Sequence, residues 1–471
     1  MATHTVEHEV GHNGQGVTIA DRSVRDFRAY VVDRPEEGEF TIDRALFSDS
    51  ELFELEMKYI FEGTWIYLAH ESQLPRPHDF FTTTIGRQPV ILMRNQAGEI
   101  GGFINACPHR GAAVCLTKRG NQKILTCPYH GWSFNTNGAL VSVKDHATGA
   151  YSEAFERLDH SLTRIPRLAN YRGFLFGSLN PAVPELETHL GDVRIFIDLI
   201  VDQAPEGLEV LRGSADYTYA GNWKMQAENG VDGYHFDIVH RTFVGVIQRR
   251  MTLGNDTVRA VDVQRLGTSS IANGCYDLGN GHTLLWTDYP NPQDRPNYER
   301  RGEIATRFGE THARWMFDRL RNLLFYPNVF FMDQTSTQLR VLHPLAVDKT
   351  RVATYCIAPV GESAAARAHR LRQYEDFFNA SGVGTPDDLA AFEACQKGYQ
   401  GKLVRWQQGY MRGVRRLTLG ADAEAKALGI HPYASMSDFR DETIYHGHYR
   451  QWLGLMTQGQ AAAVEGLRHG R

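Results

Sequence analysis

The chain has 471 residues, 42% hydrophobic and 22% charged, with a formal net charge of −5 and a pI near 6.5. This is the composition of a folded protein of roughly two to four domains with ample apolar material for a core. It excludes two classes of function: no basic run has the footprint of a nucleic-acid surface, and no apolar run is long enough for a membrane span.

The first segment, "MATHTVEHEVGHNGQGV", has neither a basic n-region nor an apolar h-region. It predicts no signal peptide and a cytoplasmic location. Six cysteines without a disulfide-like framework fit a reduced compartment. His4, His8 and His12 would share one face of a helix, but Gly11, Gly14 and Gly16 argue against that helix. Residues 1–41 are therefore read as a loose arm. "SDSELFELEMKYIFEGTW" predicts a helix within 42–65, with Ser48 and Glu51 as a capping box and Gly63 as its stop.

From 66 to 180 the pattern changes to short β-rich runs ("FFTTTIG", "PVILMR", "GFINA", "KILTC", "FLFGSL") between Gly, Pro and Asn turns. This predicts a small all-β domain. From 181 to 471 the patterns mix. "NWKMQAENGVDGYHFDIVH", "ESAAARAHRLRQYEDFFNA" and the stretch from Asp387 to about Tyr410 read as helices. "HTLLWTDY", "NVFFMDQ", "STQLRVLHPL" and "RVATYCIAPV" read as strands of one antiparallel sheet. The fold class expected is α+β.

Inside the β domain lies "CPHRGAAVCLTKRGNQKILTCPYHGW". Cys107 and His109 form C-x-H; Cys127 and His130 form C-x-x-H. Two Cys and two His also suit zinc, but zinc modules usually pair Cys with Cys and His with His. Here each turn supplies one of each, which suits a [2Fe–2S] cluster with both thiolates on one iron and both imidazoles on the other. Pro108, Pro128, Gly111 and Gly131 make each turn a rigid loop whose N–H groups can face sulfur. The stretch resembles a Rieske domain. Rieske proteins of respiratory complexes carry an extra Cys in each loop. Cys115 has no counterpart in "CPYHGW", so the resemblance is to the ferredoxin and oxygenase branch.

A Rieske centre passes one electron at a time, which leaves the larger domain to use it. "AENGVDGYHFDIVH" supplies Asp232, His235 and His240. Two imidazoles and one carboxylate make the facial triad of non-haem Fe(II) oxygenases. Asp232 and His235 would share a helix face. His235 and His240, five apart, stand roughly 140° apart around a regular helix and can meet at one ion only if the helix breaks between them. Two satisfied core histidines are the alternative.

These residues resemble the large subunit of Rieske aromatic-ring-hydroxylating dioxygenases, in particular the benzoate, toluate and halobenzoate enzymes. "FEGTWIYLAHESQLP", "YRGFLFGSL", "GNWKMQAENGVDGYH", "YPNVFFMDQ" and "GESAAARAHRLRQYEDFFNASG" extend the resemblance over nearly the whole chain. It implies a Rieske domain inserted into a catalytic domain of helix-grip type. It also implies that Asp232 is not a ligand but bridges His130 of a neighbouring copy to His235. The carboxylate ligand would come from "GVGTPDDLAAFEACQ" as Asp388, with Asp387 its neighbour and Asp333 an outside candidate. The same run is also a good helix start, with Thr385 as N-cap and Pro386 in the first turn.

The resemblance further implies a [2Fe–2S] cluster, a mononuclear Fe(II), a small β subunit in an α3β3 ring, and a separate NADH-dependent flavin/iron–sulfur reductase. The expected reaction is cis-dihydroxylation of an aromatic ring with O₂, on benzoate or a substituted benzoate. A Rieske monooxygenase or demethylase is the alternative within the class; a Rieske electron carrier lacking oxygenase activity is the alternative outside it. The run "HFDIVHRTFVGVIQRR" departs from the resembling enzymes, and Phe236, Asp237, Arg241 and Phe243 are expected near the pocket or its mouth. No substrate-binding residue is assigned.

Overall fold

A computed structural model describes residues 25–253, 271–334, 336–377, 379 and 381–468. His4, His8 and His12 lie outside the described residues.

The mixed patterns of the C-terminal half resolve into one antiparallel sheet of ten strands among the described residues. Its centre is the meander Thr283–Asp288, Arg319–Phe325, Val329–Asp333, Thr337–Ala346 and Lys349–Pro359, each strand pairing with the next. Arg319–Phe325 and Val329–Asp333 are buried along their whole length, and the polar side chains among them pair inside the fold, Arg319 with Asp288 and Arg321 with Asp333. One face packs on the short helices Leu186–Leu190 and Val193–Val201 and on Trp315. The other packs on the helices Ser50–Glu56, Trp223–Asn229 and His446–Arg468.

The β region between them holds three smaller antiparallel sheets. Ile66–His70 pairs with Phe174–Ser178 and ties the start of the β region to its end. Asp79–Ile85, Gln88–Arg94 and Ile100–Ile104 form a meander, and Ile124–Thr126 pairs with Ser133–Asn135. Both Cys/His turns emerge from these last two sheets.

Three local expectations are corrected. The described part of the arm is not loose: Val31–Arg34 pairs with Glu39–Asp43, which pairs with Trp406–Gln407, and Phe27, Phe40 and Ile42 are buried. The helix at Ser50 is capped by Asp49 rather than Ser48; the Asp49 carboxylate accepts from the N–H groups of Glu51 and Leu52 at 2.8 and 3.1 Å. The helix expected from Asp387 to about Tyr410 runs Thr385–Gly398, with Gly384 in the cap position and Thr385 buried in the first turn.

One buried carboxylate joins three elements. Glu56 is fully buried and accepts from Lys224 Nζ at 2.6 Å, Trp223 Nε1 at 2.9 Å and Trp452 Nε1 at 2.7 Å. Removing one partner of such a pair costs about 3–5 kcal/mol, because the other charge stays buried. Among the described residues no helix is long and apolar enough to cross a membrane.

Candidate metal centres and substrate pocket

The two Cys/His turns have the same construction. In the first, Cys107 N–H donates to Ala112 O and Gly111 N–H to Cys107 O, both at 2.8 Å. In the second, Cys127 N–H donates to Trp132 O at 2.8 Å and Gly131 N–H to Cys127 O at 3.1 Å. Both closing glycines have positive φ, +77° and +76°, which a side chain would strain. Asn105 braces the first turn: its Oδ1 accepts from Val114 and Cys115 N–H, and its Nδ2 donates to Cys115 O.

Both thiols are buried, and the two imidazoles meet edge to face with ring centroids 4.5 Å apart. Trp132 stacks on His109 at 4.9 Å. Burial, with His109, Arg110 and Lys144 nearby, pushes the His130 imidazole below its usual range. Its Nδ1 is buried with no hydrogen-bond partner. Buried thiols and an orphaned ring nitrogen fit a soft metal centre that takes thiolate and neutral imidazole.

The second constellation begins at a helix that stops. Asn222 caps Trp223–Asn229 by accepting from Lys224 N–H at 3.1 Å. The helix ends before Gly230, and at Gly230 and Gly233 there is no room for a side chain. A Cβ on Gly230 would lie 2.3 Å from the Phe330 ring, and one on Gly233 would lie 2.4 Å from the Phe439 ring. A short helix, Phe236–Val239, and a longer one, Arg241–Thr252, follow. His235 opens the short helix and His240 ends it with φ −94° and ψ 23°, and this second interruption, lying between the two histidines, lets their rings turn to one side as a continuous helix would not.

There they meet Asp388, from the first turn of the Thr385–Gly398 helix. The Nε2 atoms of His235 and His240 are 3.1 Å apart, and Asp388 Oδ1 is 3.4 Å from the first and 3.2 Å from the second. Metal–ligand bonds of about 2.1 Å at near right angles put neighbouring donor atoms about 3 Å apart, so the spacing fits one ion held on one side. Among the described residues this is the one group of three such side chains whose donor atoms lie within 4.8 Å. His240 Nδ1 is buried and unpartnered. Asp387 is the neighbour outside the group. Asp333 is elsewhere, buried between Arg295 and Arg321; burial opposes its charge, but the two guanidiniums outweigh burial and hold its pKa at about 2.

Asp232 lies in the break, not on a helix. Its Oδ1 accepts from Tyr234 N–H at 2.6 Å and His235 N–H at 3.3 Å. Its Oδ2 is 3.2 Å from His235 Nδ1, within ion-pair distance but off the line of a well-formed hydrogen bond. Burial opposes the His235 imidazolium, yet Asp232 and Asp388 outweigh it and raise the imidazole's pKa. In Asp388, His240 and His235 likewise outweigh burial and lower the carboxyl's.

Beside the triad is a cavity of about 100 Å³. Its apolar walls include Phe236, Phe243, Phe377 and Phe439, and Asn322 and Gln334 supply a polar edge. Gln334 Nε2 donates to Asn322 Oδ1 at 2.7 Å, and Asn322 Nδ2 donates to Gly230 O at 2.8 Å. The Phe377 ring is 5.2 Å from the His240 ring. Phe236 and Phe243 thus lie where expected, whereas Asp237 and Arg241 are exposed and do not line the cavity. Phe377, Phe439, Asn322, Gln334 and Asn229 come from distant segments or lack a motif, and sequence reasoning missed them.

Known proteins resemble this chain. Residues 208–458 match the catalytic domain of the ring hydroxylating alpha subunit, and residues 64–165 match the Rieske [2Fe–2S] domain. The chain is 48% identical to the 2-halobenzoate 1,2-dioxygenase large subunit of Burkholderia cepacia, over 91% of this chain and 92% of that protein. It is 46% identical to the anthranilate 1,2-dioxygenase large subunit of Acinetobacter baylyi, over 90% and 91%. It is 45% identical to toluate 1,2-dioxygenase subunit alpha of Pseudomonas putida, over 92% and 94%. The crystal structure of naphthalene 1,2-dioxygenase from Rhodococcus sp. superposes with a TM-score of 0.75 at 26% identity, covering 88% of this chain and 94% of that one. The chain therefore belongs to the alpha subunits of the ring-hydroxylating dioxygenases, oxidoreductases built from a Rieske [2Fe–2S] domain and a non-haem iron catalytic domain.

Proposed function

We propose that this alpha subunit cis-dihydroxylates an aryl carboxylate, benzoate or a substituted benzoate. The reaction joins the arene, O₂, two electrons and two protons into one cis-dihydrodiol. The observation that carries the reading is the His235–His240–Asp388 convergence beside a cavity walled by four phenylalanines. The substrate class is supported by the relatives at 45–48% identity, whose names specify halobenzoate, toluate and anthranilate.

In this reading Cys107, His109, Cys127 and His130 hold the cluster, and His235, His240 and Asp388 hold the mononuclear iron. When bound, the cluster supplies single electrons and the iron supplies open positions for O₂. The chain does the rest. Phe236, Phe243, Phe377 and Phe439 exclude water and hold a flat ring, while the Asn322–Gln334 edge orients its polar group. Asp232 orients the His235 ring from its far side. His130 of a neighbouring copy would donate to the same carboxylate, joining a ligand of one centre to a ligand of the other.

The working organisation is an arm over 1–41, a helical segment over 42–65, the Rieske domain over 66–180 and the catalytic domain over 181–471. The assembly would be an α3β3 ring, fed from NADH by a separate flavin/iron–sulfur reductase. A cytoplasmic site of action suits the six cysteines, all of them free thiols.

The test is incubation of the reduced enzyme with substituted benzoates under ¹⁸O₂, with product analysis by mass spectrometry. Two labelled oxygens on adjacent ring carbons are expected. A single labelled oxygen, or release of a methyl group as formaldehyde, would make it a monooxygenase. Absence of substrate-dependent O₂ uptake would leave an electron carrier.

A further inference from the structure

Behind the triad a chain of three polar side chains runs from the sheet into the metal site. Tyr217, on the strand Ala215–Tyr219, donates its hydroxyl hydrogen to Gln226 Oε1 at 2.9 Å. Gln226 Nε2 donates to Asn229 Oδ1 at 3.3 Å. Asn229 Nδ2 then lies 3.2 Å from Asp388 Oδ1 and 3.3 Å from His235 Nε2. Gln226 and Asn229 are three apart on the Trp223–Asn229 helix and share a face. Tyr217 and Gln226 are 8% and 1% exposed, so water does not compete for these groups.

The directions of these bonds are linked. An ionised carboxylate can only accept, so Asp388 requires the nitrogen end of the Asn229 amide. That turns Asn229 Oδ1 toward Gln226, which must answer with Nε2. Gln226 Oε1 then faces Tyr217, whose hydroxyl can donate. Burial pushes the Tyr217 pKa up, so the hydroxyl keeps its proton. Every link agrees with one polarity, and reversing any link reverses the others.

We infer that Tyr217 and Gln226 are positioning residues for the mononuclear site: they fix the Asn229 amide so that it donates to Asp388 instead of presenting its carbonyl as a ligand. This rests on the ligand set of the proposed function. Asn229 thereby restrains the carboxylate from rotating and withholds its carbonyl as a fourth protein ligand. Gln226→Glu keeps the link from Tyr217 but reverses the one to Asn229, because an ionised carboxylate accepts from both neighbours and draws the Asn229 nitrogen away from Asp388. Tyr217→Phe keeps the shape and removes only the anchor.

The test uses the full chain with its Rieske cluster intact, cleared of mononuclear metal by chelation and titrated anaerobically with cobalt(II) at pH 8. The visible ligand-field bands read coordination, the titration reads affinity, and the cluster absorbance reads the fold. Tyr217→Phe is expected to weaken cobalt binding about ten-fold, with the bands in place. Gln226→Glu is expected to move the bands. In an Asn229→Ala background neither change should have further effect. Wild-type bands and affinity in both variants would overturn the inference, as would equal losses with Asn229 absent. If Gln226→Glu loses its cluster absorbance, the Tyr217→Phe affinity decides alone. Failure of the unmodified chain to bind cobalt would instead overturn the ligand assignment, and the relay with it.

Discussion

At the scale of single residues, the site turns on which of two adjacent acids faces the histidines. Asp387 and Asp388 both open the Thr385–Gly398 helix, where a negative charge is favoured by the helix dipole. Only Asp388 lies within 3.4 Å of both imidazoles. Asp388→Ala is expected to lower mononuclear iron occupancy at least about ten-fold while the Rieske EPR signal stays. Asp387→Ala should keep the iron and lose at most about 1 kcal/mol of helix-terminus stability. Metal analysis of the two purified variants decides, and iron lost from the Asp387 variant alone would shift the ligand by one residue. The Cys/His pairs and the D-x-x-H-x-x-x-x-H spacing are legible in the sequence because their chemistry is local. Asn229, Gln226 and Tyr217 are not: their types are common, and only the fold shows that their amides and hydroxyl line up.

At the scale of elements, the triad depends on two interruptions, one around Gly230 and Gly233 ahead of the histidines and one at His240, between Phe236–Val239 and Arg241–Thr252. The sequence shows that the second is needed, since five-residue spacing cannot serve one ion on a regular helix. It does not show why positions 230 and 233 must be glycine, because Phe330 and Phe439, which crowd them, belong to distant segments. The helix before the break is anchored by acids that no motif marks. Glu56 holds Lys224, and one turn on, Glu228 accepts from the hydroxyls of Tyr410 and Tyr449. Burial drives the Glu228 carboxyl from 4.5 up to about 7, against the two tyrosine hydroxyls and helped by Glu442 and Asp232.

This has a definite sign. A carboxyl raised in the folded state contributes stability that is complete below its unfolded pKa near 4.5 and is lost as pH rises through about 7. The thermal midpoint should therefore fall between about pH 4.5 and pH 7 and level off above that, as stability changes by at most about 1.4 kcal/mol per pH unit for each such proton. Glu442, also pushed up to about 7 by burial and by Asp232, adds to that fall. Glu228→Gln keeps the acceptor for both tyrosines and cannot ionise. It should match the parent near pH 4, exceed it at pH 7, and show roughly half the slope between them. A calorimetric midpoint that is flat from pH 4.5 to 7 in the parent, or an unchanged slope in the variant, would refute the assignment.

At the scale of the whole molecule, the two metal sites meet the outside at faces of different character. The Rieske turns carry exposed Arg110 and Tyr129, with the Arg110 guanidinium 5.3 Å over the Tyr129 ring. The break beside the triad carries Asp232, with Tyr234 and Ile238 exposed around it. In the proposed assembly His130 of one copy reaches Asp232 of another, which would bring the Arg110–Tyr129 tip against this rim, where the Arg412 guanidinium lies 3.8 Å over the Tyr234 ring. Asp232 is not one of the three converging donors, so Asp232→Ala should leave both metal centres largely occupied. Product formation should nevertheless fall about 100-fold or more, since a carboxylate held against the far nitrogen of a metal-binding imidazole sets the orientation of that ring. The decisive measurement is stopped-flow single turnover: the pre-reduced enzyme is mixed with substrate and O₂, and the cluster absorbance is followed. Slow cluster oxidation with normal iron content supports the bridge. Oxidation at the parent rate would remove Asp232 from the path between copies, and loss of mononuclear iron would make it a ligand.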